Sequence, residues 1–374
     1  METRQEMKDI FHMMKFISNL KLVVKLEPEL PTLYYKKDGV FNDTVTALEQ
    51  LQQQYNPTPW LRNHHIHLMF FDIIKKNLIN LKYDSIEHLT MTDGGITAVA
   101  WFGLDLPEDT PTIVLLHTIT GTFDSMREIV RDLNTYTGWR VALCVRRGHD
   151  CLPLTTPKIN LFGSPQDLKE QIIYIQEKFP NSDLYAVGSS AGTGLLIRYL
   201  GEEAEQTPIK AAFALCPGYD TEIGFKHVHP IYSKIMTKKL IRKFILPHQE
   251  IWQQIPQWEE ILHAKTLAQF EKIYFKMAGF SDYESYAKAS NPIYTFENIK
   301  IPLMILNAED DPVCHIKNLE PYKQTITKMP NIIVVTTKKG SHCGFYEGMF
   351  KTTSWATRLM SEFLLNQEKA HKKN

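Results

Sequence analysis

"LYAVGSSAGTGLLIRYL", residues 184–200, runs from an apolar stretch through a glycine–serine turn into a helical pattern. The apolar stretch at 184–189 is continuous rather than alternating, as in a strand covered on both faces. The turn satisfies G-x-S-x-G with Gly188, Ser190 and Gly192. Strand, tight turn and helix in this order lift a serine out of a sheet as a nucleophile, because the turn tolerates almost no side chain two residues to either side. Ser189 fills the variable position, so Ser190 is the candidate nucleophile. A glycine-rich helix start with a serine N-cap would look the same in isolation, so the rest of the chain must decide.

Outward from this stretch the same rhythm repeats. "TIVLLH" (112–117), "RVALCV" (140–145), "AAFALC" (211–216), "PLMILN" (302–307) and "IIVVTT" (332–337) are further buried-strand runs. Between them lie the helical patterns "SMREIVRDLNTYT", "PQDLKEQIIYIQEKF" and "GTGLLIRYLGEEA". Strand–helix alternation predicts an α/β fold with a mostly parallel, doubly wound sheet. Such sheets bind ligands at the carboxyl ends of their strands. Residues 222–297 break the rhythm with helical material such as "IYSKIMTKKLIRKFIL" and "WEEILHAKTLAQFEKIYFKMAG", read as a helical cap inserted before the next strand. Residues 1–85 are read as an N-terminal extension with a proline-bearing hinge at "YNPTPW", and 86–374 as the α/β domain carrying the cap.

Composition narrows the functional classes. The chain has 374 residues, 43% hydrophobic and 22% charged, which suits a globular protein with a sizeable core. Lys+Arg and Asp+Glu both total 42, giving no electrostatic footprint for nucleic acid. Five cysteines, none spaced C-x-x-C, indicate neither a disulfide framework nor a zinc site and favour a reducing compartment. The N-terminus has acidic residues early and no secretory pattern. No run reaches the roughly 18 apolar residues of a membrane span. The expected location is therefore cytoplasmic, with peripheral contact at a membrane surface as an open alternative.

A serine hydroxyl needs a base, and the base needs an orienting group. "LNAEDDPV" places Asp310 and Asp311 on the loop leaving one strand, and "VVTTKKGSHCGF" places His342 after the next. The order Ser…Asp…His is that of α/β-hydrolases. Counting three positions from the strand-end Ala308 selects Asp311, with Asp310 as a neighbour that buffers or orients it. Alone, either Asp reads as a turn residue and His342 as a loop histidine; jointly, in this order, they point to catalysis. Two backbone amides must receive the oxyanion: Ala191, after the nucleophile, and Ile119 or Thr118 in "LLHTITG".

The whole pattern resembles the α/β-hydrolase-domain lipid esterases, the branch with the plant embryogenesis-associated proteins and YheT-like bacterial hydrolases. The resemblance runs from about 55 to 350, through "YNPTPWLRNHHIH", "TMTDGGITAVAW", "HTITGT", "RRGHDCLPLT", "FPNSDLYAVGSSAGTGLLIRYLGEE", "LNAEDDPV" and "GSHCGFYEG". It implies an α/β-hydrolase fold, a triad of Ser190, Asp311 and His342, and hydrolysis of carboxylic esters, acylglycerols among them, without metal or cofactor. Three departures bear on substrate choice: Thr118 where the family has glycine, Ala191 and Thr193 for leucine and a second glycine, and His65–Ile66–His67 for His-Leu-Gln.

Other features have bland readings beside sharper ones. His64, His65 and His67 lack acidic or cysteine partners at zinc-like spacing and read as a structural cluster. Cys314 beside His315, and Cys343 beside His342, sit on no nucleophile turn and read as packing residues. Trp252, Trp258, Phe270, Tyr274 and Phe275 could line an acyl pocket, but their helical spacing favours burial within the cap. "DIFHMMKFISNLKLVVKL" with Lys8, Lys15, Lys21 and Lys25 fits a helix packed on its own domain, or an interfacial helix at a lipid surface. The expected partner is a small-molecule ester or lipid substrate, with no nucleic acid. The leading reading is a serine esterase of the monoacylglycerol lipase type. The alternatives are an acyltransferase or thioesterase using the same acyl-enzyme, and a lipid-binding protein that keeps the fold without turnover.

Overall fold

The computed structural model describes residues 29–37, 39, 41–75, 78–162, 164–349 and 352–373. The lysine-bearing amphipathic segment at 8–26 lies outside them. Nine strands form one sheet: β1 (Thr32–Tyr35), β2 (Ser85–Thr90), β3 (Ile96–Phe102), β4 (Thr112–Leu116), β5 (Arg140–Val145), β6 (Leu184–Ser189), β7 (Ile209–Leu215), β8 (Leu303–Ala308) and β9 (Ile332–Thr337). Their order is β1-β9-β8-β7-β6-β4-β5-β3-β2. Strands β5, β4, β6, β7, β8 and β9 pair in parallel. Antiparallel β3 and β2 extend one edge, and β1 closes the other against β9. The mostly parallel sheet expected from the apolar runs, and the α/β-hydrolase fold that the resemblance implies, are what the chain forms. The edge strand β1 comes from the stretch read as an extension.

Helices around the sheet and in the segment between β7 and β8 include α1 (His64–Met69), α2 (Arg127–Thr137), α3 (Gln166–Lys178), α4 (Ala191–Glu203), α5 (Pro230–Leu240), α6 (Leu267–Tyr274) and α7 (Trp355–His371). Period-two geometry sends alternate side chains of each strand to opposite faces. Ile113 and Leu115 of β4 join one core with Val130 of α2 and Phe363 of α7. Val114 and Leu116 join the other with Leu168 of α3 and Leu196 of α4. Both faces are therefore dry, which is why these strands read as unbroken apolar runs.

The helical segment between β7 and β8 builds a third core with Ile119 and Phe162 from the loops of the sheet. Its longest apolar stretch breaks in two, Trp258–Leu262 and α6, where Thr266 caps α6 by accepting the Gln269 N–H. Among the described residues no helix is long and apolar enough to cross a membrane.

Candidate active site

Ser190 sits between β6 and α4 with φ +52° and ψ −119°, a backbone conformation that side chains disfavour. The turn is held by its surroundings: the Ser190 N–H donates to Leu215 O at 2.9 Å, and the Thr193 N–H to Ser190 O at 2.9 Å. Neither flanking glycine has room for a side chain. A Cβ at Gly188 would lie 2.8 Å from Gly192 O, and one at Gly192 would lie 2.5 Å from Leu116 O.

Three loops from three strand ends meet at this serine. His342 Nε2 lies 2.7 Å from Ser190 Oγ, and His342 Nδ1 lies 2.8 Å from Asp311 Oδ2. The other Asp311 oxygen accepts the N–H groups of Val313 and Cys314 at 2.7 and 2.9 Å, so the carboxylate is fixed before it meets the ring. All three side chains are buried, yet Ser190 lines a cleft. Burial of the ring works against its charged form, but the Asp311 carboxylate heads the opposing influences and the His342 pKa is raised. Asp310 points elsewhere: its Oδ1 accepts the Ser341 N–H at 3.0 Å, and Lys339 stands 3.5 Å away. Burial pushes its pKa up to about 6. Asp310 thus tethers the loop that carries His342.

The histidine-rich helix α1 holds the same loop from the other side. The Ser341 hydroxyl donates to His64 O at 2.7 Å, and the Tyr346 N–H to His67 Nε2 at 3.1 Å. Burial lowers the His67 pKa to about 3, keeping that nitrogen an acceptor. His65 Nδ1 meets the Tyr232 hydroxyl of α5 at 2.8 Å. These histidines fasten loops together, which spacing alone gave no means of seeing.

The peptide before Ile119 is also oriented. Arg146 donates to Thr118 O at 2.7 Å, and His149 Nε2 approaches Ile119 O at 3.0 Å. In a trans peptide the N–H opposes the C=O, so holding Thr118 O turns the Ile119 N–H the other way. Ile119 and Ala191 both line the cleft beside Ser190. Arg146 and His149 were missed in the sequence because both act on a backbone carbonyl from a distant loop.

Phe162, Phe225, Val228, Met236 and Leu267 give the cleft an apolar wall. Trp252, Trp258, Phe270, Tyr274 and Phe275 are not among its lining residues; Trp252, Phe270 and Tyr274 are buried inside the helical insertion. Phe162 instead presents its ring to the cleft and packs edge-on against Phe225 and Tyr274, at 5.0 and 5.3 Å between centroids.

Cys343 packs in the core of the sheet, as read, and lies there beside Cys216. Among the described residues, two groups bring potential ligand atoms within 4.8 Å of one another: Cys216, His342 and Cys343, and Asp311, Cys314 and His342. His64, His65 and His67 belong to neither. Burial would raise the Cys343 thiol, but hydrogen bonding with Cys216 and the nearby imidazole bring it down to about 5.

The profile described as alpha/beta hydrolase fold matches residues 111–349. The chain is 24% identical to an embryogenesis-associated protein of Picea glauca, covering 88% of this chain and 76% of that protein. It is 26% identical to abhydrolase domain-containing protein 2 of Drosophila melanogaster, with 91% of each covered. Monoacylglycerol lipase ABHD2 of Mus musculus is 25% identical over 89% of this chain and 84% of that one. Among solved structures, an esterase from Pyrobaculum calidifontis superposes with a TM-score of 0.49 at 12% identity, covering 96% and 95% of the two chains.

Proposed function

The chain belongs to the alpha/beta hydrolase fold family, and from that premise we propose that it is a serine hydrolase of carboxylic esters, with lipid esters such as monoacylglycerols as its substrate class. His342 Nε2 takes the proton of Ser190 as Oγ attacks the ester carbonyl, and Asp311 holds the ring and stabilises its charged form. The Ala191 and Ile119 amides receive the oxyanion. The same imidazole returns the proton to the leaving alcohol and then activates the water that releases the acid. No cofactor is needed for these steps.

One observation carries this reading: an unbroken hydrogen-bonded chain, 2.7 Å from hydroxyl to imidazole and 2.8 Å from imidazole to carboxylate, ending in an apolar cleft. The lipase names of relatives such as phospholipase ABHD3 of Bos taurus, 25% identical, favour the lipid class. Support for substrate drawn from a lipid surface comes from α5, whose Met236 lines the cleft while Ile231 and Ile235, 61% and 54% exposed, face outward. Exposed Lys234, Lys238 and Arg242 share that outer stripe, a charge pattern suited to an anionic membrane. The test is hydrolysis of p-nitrophenyl esters of graded length alongside monoacylglycerols. We expect activity that His342→Ala lowers by about 10⁴-fold or more. Inactivity across the panel, or a His342→Ala variant as active as the wild type, would overturn the proposal.

A further inference from the structure

We propose that Cys216, His342 and Cys343 form a binding site for a thiophilic divalent cation of the Zn²⁺ class, and that its occupancy stops hydrolysis. Cys216 follows β7 and Cys343 follows the base itself, 127 residues later, yet their sulfurs and a ring nitrogen of His342 lie within 4.8 Å of one another. In a tetrahedral zinc site with bonds of about 2.0–2.3 Å, ligand atoms stand about 3.5–3.8 Å apart. Closing this triangle onto a cation therefore needs a contraction of about 1 Å. Two sulfurs and an imidazole select soft ions over Mg²⁺ or Ca²⁺.

The surroundings match what a zinc site requires beyond its ligands. The Cys343 N–H donates to Cys216 Sγ at 3.4 Å, and Ser189 Oγ donates to Cys343 Sγ at 3.5 Å, bonds of the kind that stabilise ligating sulfur. His342 Nδ1 is already bonded to Asp311, the carboxylate–imidazole arrangement that orients metal-binding histidines. Cys216 and Cys343 adopt φ values of +53° and +62°, so both thiols are presented from left-handed backbone rather than from regular structure. Ser189 and Cys343 also line a second cleft with Glu128 and Tyr346, and it shares no lining residue with the cleft at Ser190.

Occupancy and catalysis exclude each other. A cation on Nε2 displaces Ser190, and a cation on Nδ1 displaces Asp311; either breaks one of the two bonds the imidazole makes. The inhibitory half of this inference rests on the proposed hydrolase; the binding half does not.

The reduced, purified chain is titrated with Cd²⁺ while the ultraviolet thiolate-to-cadmium charge-transfer band is recorded. In parallel, p-nitrophenyl ester hydrolysis is assayed with Zn²⁺ and then EDTA. We expect the band in the wild type and in Ser190→Ala, and its loss in the Cys216→Ala/Cys343→Ala double variant. Zn²⁺ inhibition should reverse with EDTA. Each single cysteine variant should raise the half-inhibitory concentration by about tenfold or more, while Cys314→Ala leaves it unchanged. Cys216→Ser and Cys343→Ser serve the same purpose if an alanine variant does not fold. A band that survives loss of both thiols, or equal inhibition of wild type and variants, overturns the site. The expected band in a protein that cleaves no ester would uphold the site and count against the hydrolase reading alone.

Discussion

Gly192 marks how tightly the chain is committed at Ser190, since a Cβ there would meet a strand carbonyl head-on. That constraint is local, which is why the candidate nucleophile was legible in the sequence: the turn needs its two glycines within five residues. Asp311 and His342 were legible for a related reason, because each follows a buried strand whose apolar run is itself plain. Phe162 and Phe225 were not. One lies on an irregular loop and the other on a short helix, so no periodicity announces their position at the cleft. Glu271 is a buried residue with a measurable consequence. Burial raises its pKa to about 7, although the Tyr283 hydroxyl donates to it at 3.0 Å. A carboxyl raised on folding contributes stability fully below its unfolded value near 4.5, and loses it as pH rises through about 7. Glu271→Gln should therefore change little at pH 5 but stabilise at pH 8, by up to about 3 kcal/mol, read as melting temperature at the two values. An equal shift at both would contradict this.

At the scale of elements, the strands from β4 to β9 fall within a residue or two of their apolar runs, because two dry faces leave little freedom of composition. Strand β1 is four residues, one exposed and three half-buried, and its partner β9 is some three hundred residues away, so nothing local announces it. Helix α1 illustrates the same limit. Its histidines read as a cluster, but their work is to fasten the loop carrying His342, through Ser341 and Tyr346. His65 meets Tyr232 and Asp72 meets Lys239, so this segment and α5 run side by side in the same direction. Met69 is exposed on that segment, as Ile231 and Ile235 are on α5. If the pair docks on lipid, Ile231→Ser/Ile235→Ser should reduce co-sedimentation with phosphatidylserine-containing vesicles by about tenfold or more. Hydrolysis of a short water-soluble ester should stay unchanged. Undiminished vesicle binding would remove α5 as the contact surface.

For the whole molecule, the requirement is that the loops after β6, β8 and β9 arrive at one point. Arg147 fastens the other side of the sheet. It bonds Asp167 through two nitrogens at 2.8 and 2.6 Å and reaches Asp93 at 2.8 and 2.9 Å, tying the loop after β5 to α3 and to the β2–β3 turn. The "DGG" of that turn is thereby explained: Asp93 receives the guanidinium, and a Cβ on Gly95 would lie 2.4 Å from it. Asp167→Ala leaves the buried guanidinium with the partly exposed Asp93 as its remaining carboxylate partner and should destabilise the fold by up to about 3 kcal/mol, measured by denaturant unfolding. A loss below about 1 kcal/mol would show that the network carries little. The motif was visible in the sequence; its partner was not, because the pairing spans 54 residues and depends on sheet order. The convergence of Ser190, His342 and Asp311 is tested most directly by fluorophosphonate labelling followed by peptide mass spectrometry. The account predicts one adduct, on Ser190, absent from Ser190→Ala and strongly slowed in His342→Ala. An adduct on another residue, or labelling that persists in Ser190→Ala, would contradict it.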